Sequence, residues 1–404
     1  MPQRRDFLKG LGGATLALAG DALMPRLARA FAGEHDALAA APLELLPGKK
    51  PLIRRTYRPP NFETPVHYFN EVFTPNDAFF VRYHLANIPR VDSKSWRLRV
   101  EGDAVKNVSE FSLETLLRGF ERVEIVAVNQ CAGNRRGLFE PRAPGVQWGH
   151  GAMGNARWSG VRLGDVLRRV GFKNGALEVA FDGADAPLIA KTPDFIKSLP
   201  LWKALDQDTI IAFEMNGEPL PHWNGYPARL VVPGWTATYW VKHLVSIRVG
   251  SKPYDGFWMS TAYRVPKGAF LATREFSSQT GEANTPVTEL VVNSLLTNVK
   301  DHDEFPLHRQ IEVKGIAWDG GHGIQKVEVS KDDGRRWTPA ELGGDHGRYS
   351  WRPWTFRFTP LEKGNHVLLA KATTRNGDTQ GSKLILNPAG YHHNLVQRVS
   401  FKVV

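Results

Sequence analysis

Two hydrophobic rhythms divide the chain near residue 285. Ahead of that point, short alternating runs mix with helical spacing. Residues 78–85 (AFFVRYHL), 96–102 (WRLRVEG), 122–128 (RVEIVAV), 176–183, 209–217 and 228–234 predict strands with turn residues at their ends. Residues 111–120 (FSLETLLRGF) and 161–172 (VRLGDVLRRVGF) carry apolar positions three and four apart and predict amphipathic helices, each ended by a glycine. Beyond residue 286 the helical spacing disappears. Residues 310–321, 324–334, 349–359 and 366–378 alternate with period two, and Asp-Asp-Gly and Asn-Gly punctuate them as tight turns. The expectation is an α+β domain followed by an all-β sandwich of immunoglobulin type, without the cysteine pair of an antibody domain.

The first residues follow neither rhythm. Arg4-Arg5, Phe7-Leu8-Lys9, a short apolar stretch and the small-x-small run Ala28-Arg29-Ala30 predict a twin-arginine export signal over residues 1–30. Gln3 stands where such signals usually carry Ser or Thr. That route exports folded proteins, so a periplasmic address and a cofactor inserted before export are both expected. Residues 31–60 are rich in Ala and Pro and predict an N-terminal arm lying on a body that continues to residue 285.

Charge and composition narrow the options. The net charge of +11 falls to +8 once the predicted signal is removed. A basic protein suits an anionic substrate or an acidic partner. Export, and the lack of a Lys/Arg block interleaved with aromatics, argue against nucleic acid. No run of eighteen apolar residues predicts a membrane span.

Only one cysteine occurs in 404 residues, and its surroundings are polar: 128-VNQCAGNRRG-137. An intrachain disulfide is therefore impossible. A lone Cys at a strand end is commonly a small buried hydrophobe. Here Asn129, Asn134, Arg135 and Arg136 flank Cys131, and nearby cations favour the thiolate that binds metals. No second Cys and no His spacing of a zinc site are present, and no local cysteine-protease signature surrounds Cys131. One thiolate beside arginines suits a metal that brings most of its own ligands, as molybdenum does with a pterin dithiolene.

The string Cys131-Ala132-Gly133-Asn134-Arg135-Arg136 resembles the cysteine loop of the sulfite oxidase family of molybdenum enzymes. The resemblance extends over 79–89 (FFVRYHLANIP), 212–221, 224–235 (NGYPARLVVPGW), 240–247 and, in the predicted sandwich, 315–337. Within the family it is most similar to the exported, haem-free molybdenum subunits of bacterial sulfite dehydrogenases. There is no cytochrome-like stretch and no CxxCH, so no haem is expected in this chain.

The resemblance implies roles. Cys131 ligates molybdenum. Arg82, His84, Arg136 and Tyr263 act at the substrate, with the two arginines holding the oxyanion. Tyr83, His84, Asp185, Asn224, Arg229 and Lys242 contact the molybdenum-molybdopterin cofactor. Where the family often has a histidine, Asn224 stands here and His222 lies two residues earlier, leaving open which one meets the cofactor. The role of Arg135 stays open between cofactor support and structure. Trp148 and Trp158 are expected to wall the pocket. The implied activity is oxidation of sulfite to sulfate, with electrons passed singly to a c-type cytochrome, either a subunit or a soluble acceptor. The same fold also serves sulfur dehydrogenases of thiosulfate oxidation and reductases of S- or N-oxides such as methionine sulfoxide. The sandwich implies a homodimer, and a dedicated cytochrome subunit would imply a heterodimer.

Overall fold

The computed structural model describes residues 41–270, 274 and 281–404. The expected export signal and residues 31–40 of the arm lie outside the described residues.

Among the described residues, three larger sheets and the two-stranded pair Arg264–Pro266 with Asn284–Pro286 build the region that precedes the sandwich. The sheet that carries the cysteine runs Glu218–Pro219, Ile210–Met215, Met153–Arg162, Arg122–Gln130, with Arg229–Val231 also paired to Ile210–Met215. A second sheet runs Ile196–Pro200, Glu178–Gly183, Leu244–Gly250, Arg97–Glu101, Ser109–Ser112. A small antiparallel sheet joins Leu43–Glu44, Leu52–Thr56, Asn61–Glu63 and Val81–Arg82. It absorbs the described part of the arm, which thus enters the body by strand pairing.

Strand Met153–Arg162 is the main element that the hydrophobic pattern hides. Its sequence MGNARWSGVR does not alternate, because it is central and eight of its ten residues are buried. Two glycines answer close neighbours: a Cβ at Gly154 would lie 2.5 Å from the Phe79 ring, and one at Gly160 would lie 2.0 Å from the Ile211 carbonyl oxygen.

The helices are shorter than the spacing predicts. Leu113–Gly119 is capped by Ser112, whose hydroxyl accepts from the Thr115 amide. Its last residue is Gly119, and Phe120 leaves in extended conformation, so glycine does not form the cap. Leu163–Val170 does end on a glycine: Gly171 has φ 71° and donates to the Leu167 carbonyl.

The C-terminal region is the expected sandwich. One sheet runs Asn293–Leu296, Ile311–Trp318, Arg352–Phe358, Glu341–Leu342. The other runs Glu304–Phe305, Gln397–Val403, Gly364–Thr374, Ile324–Ser330, Thr338–Pro339. Val313, Val327, Trp354 and Leu368 fill the space between them. A separate apolar cluster packs Phe69, Val128 and Met153 against Leu295, Ile316 and Trp318, and Trp318 Nε1 donates to Gln130 Oε1 at 2.6 Å. The sandwich is therefore anchored beside the residue that precedes Cys131. Between Thr374 and Gln397 the chain leaves the sandwich and returns to the cysteine loop.

Candidate active site

Strand Arg122–Gln130 delivers Cys131 to a tight turn. The Cys131 amide donates to the Ala152 carbonyl at 2.9 Å, and the Ala152 amide donates to Asn134 Oδ1 at 3.0 Å. The turn is thus bound to the start of the neighbouring strand through Asn134, one of the polar residues that made the motif unusual. Cys131 is 6% exposed and opens into a pocket enclosing about 610 Å³ of atom-free space, partly open to solvent.

Arg82, His84, Cys131, Asp185, Asn224, Arg229, Lys242 and Tyr263 all line this pocket, although they come from distant parts of the chain. Tyr83 and Arg136 do not line it. Tyr83 lies beneath it: its hydroxyl meets His243 Nε2 at 2.7 Å, and the Lys242 ammonium sits 3.7 Å from its ring centre. Arg136 sits at the edge, donating through Nε to the Ala389 carbonyl at 2.7 Å and through Nη1 to the Val146 carbonyl at 3.2 Å.

The predicted strand 78–85 shrinks to Val81–Arg82, which pairs with Asn61–Glu63. Strand alternation therefore does not place His84 beside Arg82; a bend brings it to the same pocket. The His84 ring stacks on Phe195 at 3.6 Å between centroids and shares a short hydrogen bond with the Tyr263 hydroxyl. Burial first, then Arg82, Lys242 and Lys197, push the His84 pKa well below its ordinary value, so the imidazole is neutral. Burial likewise raises the Tyr263 pKa, keeping the phenol protonated as a donor.

Charge in the pocket is mostly positive. Arg82 and Lys242 face Asp185, whose carboxyl is pushed up by burial and pulled back by Lys242. Burial pushes the Lys242 ammonium down to about 7 and the Arg229 guanidinium to about 9. Arg229 donates to the carbonyls of Asn224 and Trp240 at 3.0 Å each, and its guanidinium lies 5.0 Å from the Trp158 ring centre. Its Nε and the Asn129 Nδ2 are buried with no hydrogen-bond partner among the described residues. Donors left open beside cations fit an anionic, acceptor-rich group.

The structure places the residues whose roles the sequence left open. Asn224 lines the pocket, whereas the His222 ring lies away from it, 5.7 Å from the His243 ring. Arg135 turns away from the pocket: it has φ 66°, donates to His150 Nδ1 at 3.1 Å and to Asn293 Oδ1 at 2.6 Å, and ties the loop to the sandwich. The expected tryptophan walls are corrected as well. Trp148 and Trp158 are buried behind the site, and Trp223 and Trp240 line it. Sequence reasoning also missed Phe195, Thr238 and Lys49. Lys49, from the arm, donates to Asn224 Oδ1 at 2.6 Å, and burial lowers its ammonium to about 7. A lysine in the Lys49-Lys50 pair of a Pro-rich arm carries no signal of such a role.

Comparison with known proteins identifies the family. Residues 84–258 match the oxidoreductase molybdopterin binding domain, and 284–404 match the Mo-co oxidoreductase dimerisation domain. Rat mitochondrial sulfite oxidase is 32% identical over 382 residues, covering 91% of this chain and 68% of that protein. The chain belongs to the sulfite oxidase family of molybdenum oxidoreductases. It spans about two thirds of the length of the sulfite oxidases it matches. A barley nitrate reductase is 31% identical, covering 87% of this chain and 42% of its own length. The structure of the sulfane dehydrogenase SoxCD from Paracoccus pantotrophus superimposes with a TM-score of 0.71 at 26% identity, over 85% of this chain and 84% of that one.

The family's cofactor can be tested against the residues themselves. No group of three or more His, Cys, Asp or Glu side chains that could hold a metal occurs among the described residues. A metal here would rest on Cys131 and ligands of its own, and a pterin with its phosphate would find the open Arg229 and Asn129 donors and the Lys242 ammonium. These residues fit a molybdenum-pterin group.

Proposed function

We propose that this chain is an exported molybdenum-dependent sulfite dehydrogenase that passes electrons singly to a c-type cytochrome. One observation carries the reading: the sole thiol opens into the same pocket as Arg82, neutral His84 and protonated Tyr263. Cys131 would bind the metal, while Arg229, Lys242, Asn224 and Asp185 would hold the pterin. The bound cofactor supplies the two-electron redox chemistry and the oxygen-transfer centre.

This chain's residues then bind and orient. Arg82 holds a dianionic sulfur oxyanion by charge-assisted hydrogen bonds. Tyr263 donates its phenolic proton to a substrate oxygen, with His84 holding the ring in place. In balance, sulfite and water yield sulfate, two protons and two electrons, which leave one at a time to the acceptor.

The SoxCD likeness favours a second reading, a dehydrogenase acting on sulfane sulfur. One experiment separates them. The full-length chain, matured in a cofactor-producing host, is assayed for molybdenum and for reduction of cytochrome c by sulfite, sulfane donors and thiosulfate, as wild type and Cys131→Ser. Sulfite turnover that is lost in Cys131→Ser supports the proposal. Molybdenum with turnover of sulfane sulfur alone moves the chain to the second reading. Absence of molybdenum in wild type overturns both.

A further inference from the structure

The segment that returns from the sandwich places an aromatic ring at the edge of the pocket. The Tyr391 ring stacks on Tyr263, with 5.3 Å between centroids and 14° between planes. The Arg136 guanidinium lies 5.2 Å from the centre of the same ring. Tyr391 is 7% exposed, and no residue role assigned above uses it.

The loop that carries it is built to hold one conformation. Asn387 brackets it: Nδ2 donates to the Tyr391 carbonyl and Oδ1 accepts from the Tyr391 amide, both at 2.9 Å. Gly390 between them has φ 61°, and a Cβ there would lie 2.7 Å from Ala143 Cβ and 2.9 Å from Arg136 Cγ. Two hydrogen bonds fasten the loop to the cysteine turn: the His392 amide donates to the Ala132 carbonyl at 3.1 Å, and the Arg136 side chain donates through Nε to the Ala389 carbonyl at 2.7 Å. Tyr263 itself has φ 59°, a backbone that side chains rarely adopt, so its surroundings, the Tyr391 ring among them, must hold it there.

We infer that Tyr391 is a positioning residue: its ring aims the Tyr263 phenol at the pocket and holds the Arg136 guanidinium beside it, making oxyanion binding depend on the C-terminal segment. The inference rests on the reading of this pocket as a sulfur-oxyanion site. The flat face of the ring does the positioning, through stacking and attraction to the cation. Phenylalanine would therefore preserve it, and an aliphatic side chain would not.

The test compares wild type, Tyr391→Phe, Tyr391→Leu and Asn387→Ala in the cofactor-loaded full chain. It measures KM and kcat for sulfite, the Kd of sulfate by calorimetry, molybdenum content and melting temperature. Tyr391→Leu is expected to raise the KM for sulfite and the Kd for sulfate about tenfold, between the scales of an exposed and a desolvated cation–π contact, with a smaller change in kcat. Tyr391→Phe should restore both, and Asn387→Ala should shift both in the same direction. Unchanged sulfate Kd in Tyr391→Leu overturns the inference. So does an equal defect in Tyr391→Phe, or a loss explained wholly by lost molybdenum or melting. If wild type fails to oxidise sulfite, the proposed function fails, and the sulfate Kd series still decides the role of Tyr391.

Discussion

His84 Nε2 and the Tyr263 hydroxyl are hydrogen-bonded to each other although 179 residues separate them in sequence. Each partner is held in its neutral form by burial, His84 by a lowered pKa and Tyr263 by a raised one. The bond therefore joins two uncharged groups and sets which way the phenol points. Tyr263→Phe keeps the ring and removes the donor. Its kcat for sulfite is expected to fall on the order of 10²-fold, the low end for a positioned proton donor. Stopped-flow reduction of the enzyme by sulfite checks this. An unchanged rate would remove Tyr263 from the chemistry.

Arg82 lines the pocket, whereas Arg136 is held at the edge by the Ala389 and Val146 carbonyls. Substituting each with glutamine should separate them. Losing a charge-assisted contact from a desolvated site costs about 2–5 kcal/mol, a fall of roughly 30-fold or more in kcat/KM. That loss is expected for Arg82→Gln. The Arg136→Gln variant should show a smaller loss, mostly in KM, because its guanidinium acts from beside the pocket. Steady-state kinetics over a sulfite series decides. Equal losses would place both guanidinium groups on the substrate.

Glu63 supports the cysteine turn from outside the pocket. Its carboxylate accepts from the Gly149 and Gly151 amides at 2.9 Å each and pairs with Arg55 Nε at 2.7 Å. The side chains of Arg55 and Glu63 are 7% and 2% exposed, so the pair is desolvated. Removing the carboxylate takes away both the charge facing buried Arg55 and the acceptor of two amides, at a cost of about 3–5 kcal/mol. Glu63→Ala should lower the denaturant midpoint accordingly and reduce cofactor retention, since Gly149 also accepts from the Arg135 amide at 2.8 Å. A midpoint within error of wild type would refute this account of the turn.

What was readable in the sequence followed from local physics. Period-two runs and Asn-Gly or Asp-Gly turns marked the sandwich, because its strands bury one face and leave the other wet. The polar neighbours of Cys131 marked the turn. Strand Met153–Arg162 escaped, because burial on both faces erases alternation. Tyr391 and Lys49 escaped for another reason: each acts from a remote segment through a single side chain, and nothing adjacent in sequence shows the partner. His84 reached its expected place by a bend after a two-residue strand, so the strand argument for it fails even though the pocket includes it.

His243 offers a pH test of the floor beneath the pocket. It is fully buried, its Nδ1 donates to the Tyr226 carbonyl at 2.7 Å, and its Nε2 accepts from the Tyr83 hydroxyl at 2.7 Å. Both nitrogens are thus satisfied in the neutral ring. Burial, with Lys242, His222 and Arg229 nearby and the Tyr226 carbonyl opposing, pushes its pKa from 6.5 down to about 3. The folded value is below the unfolded one, so the unfolded chain binds the proton first as pH falls. The stability that His243 contributes is complete above pH 6.5 and is lost steadily as pH falls toward 3. His392, lowered to about 4, acts with the same sign, while the Asp182 carboxyl, raised to about 7, acts against it. A comparison with His243→Gln cancels those shared terms. Guanidinium midpoints measured from about pH 7.5 to about pH 4.5 should show wild type losing its advantage by up to about 1.4 kcal/mol per pH unit below 6.5. A constant gap across that range would mean that His243 takes up its proton alike in the folded and unfolded chain, so that burial does not hold the folded ring neutral.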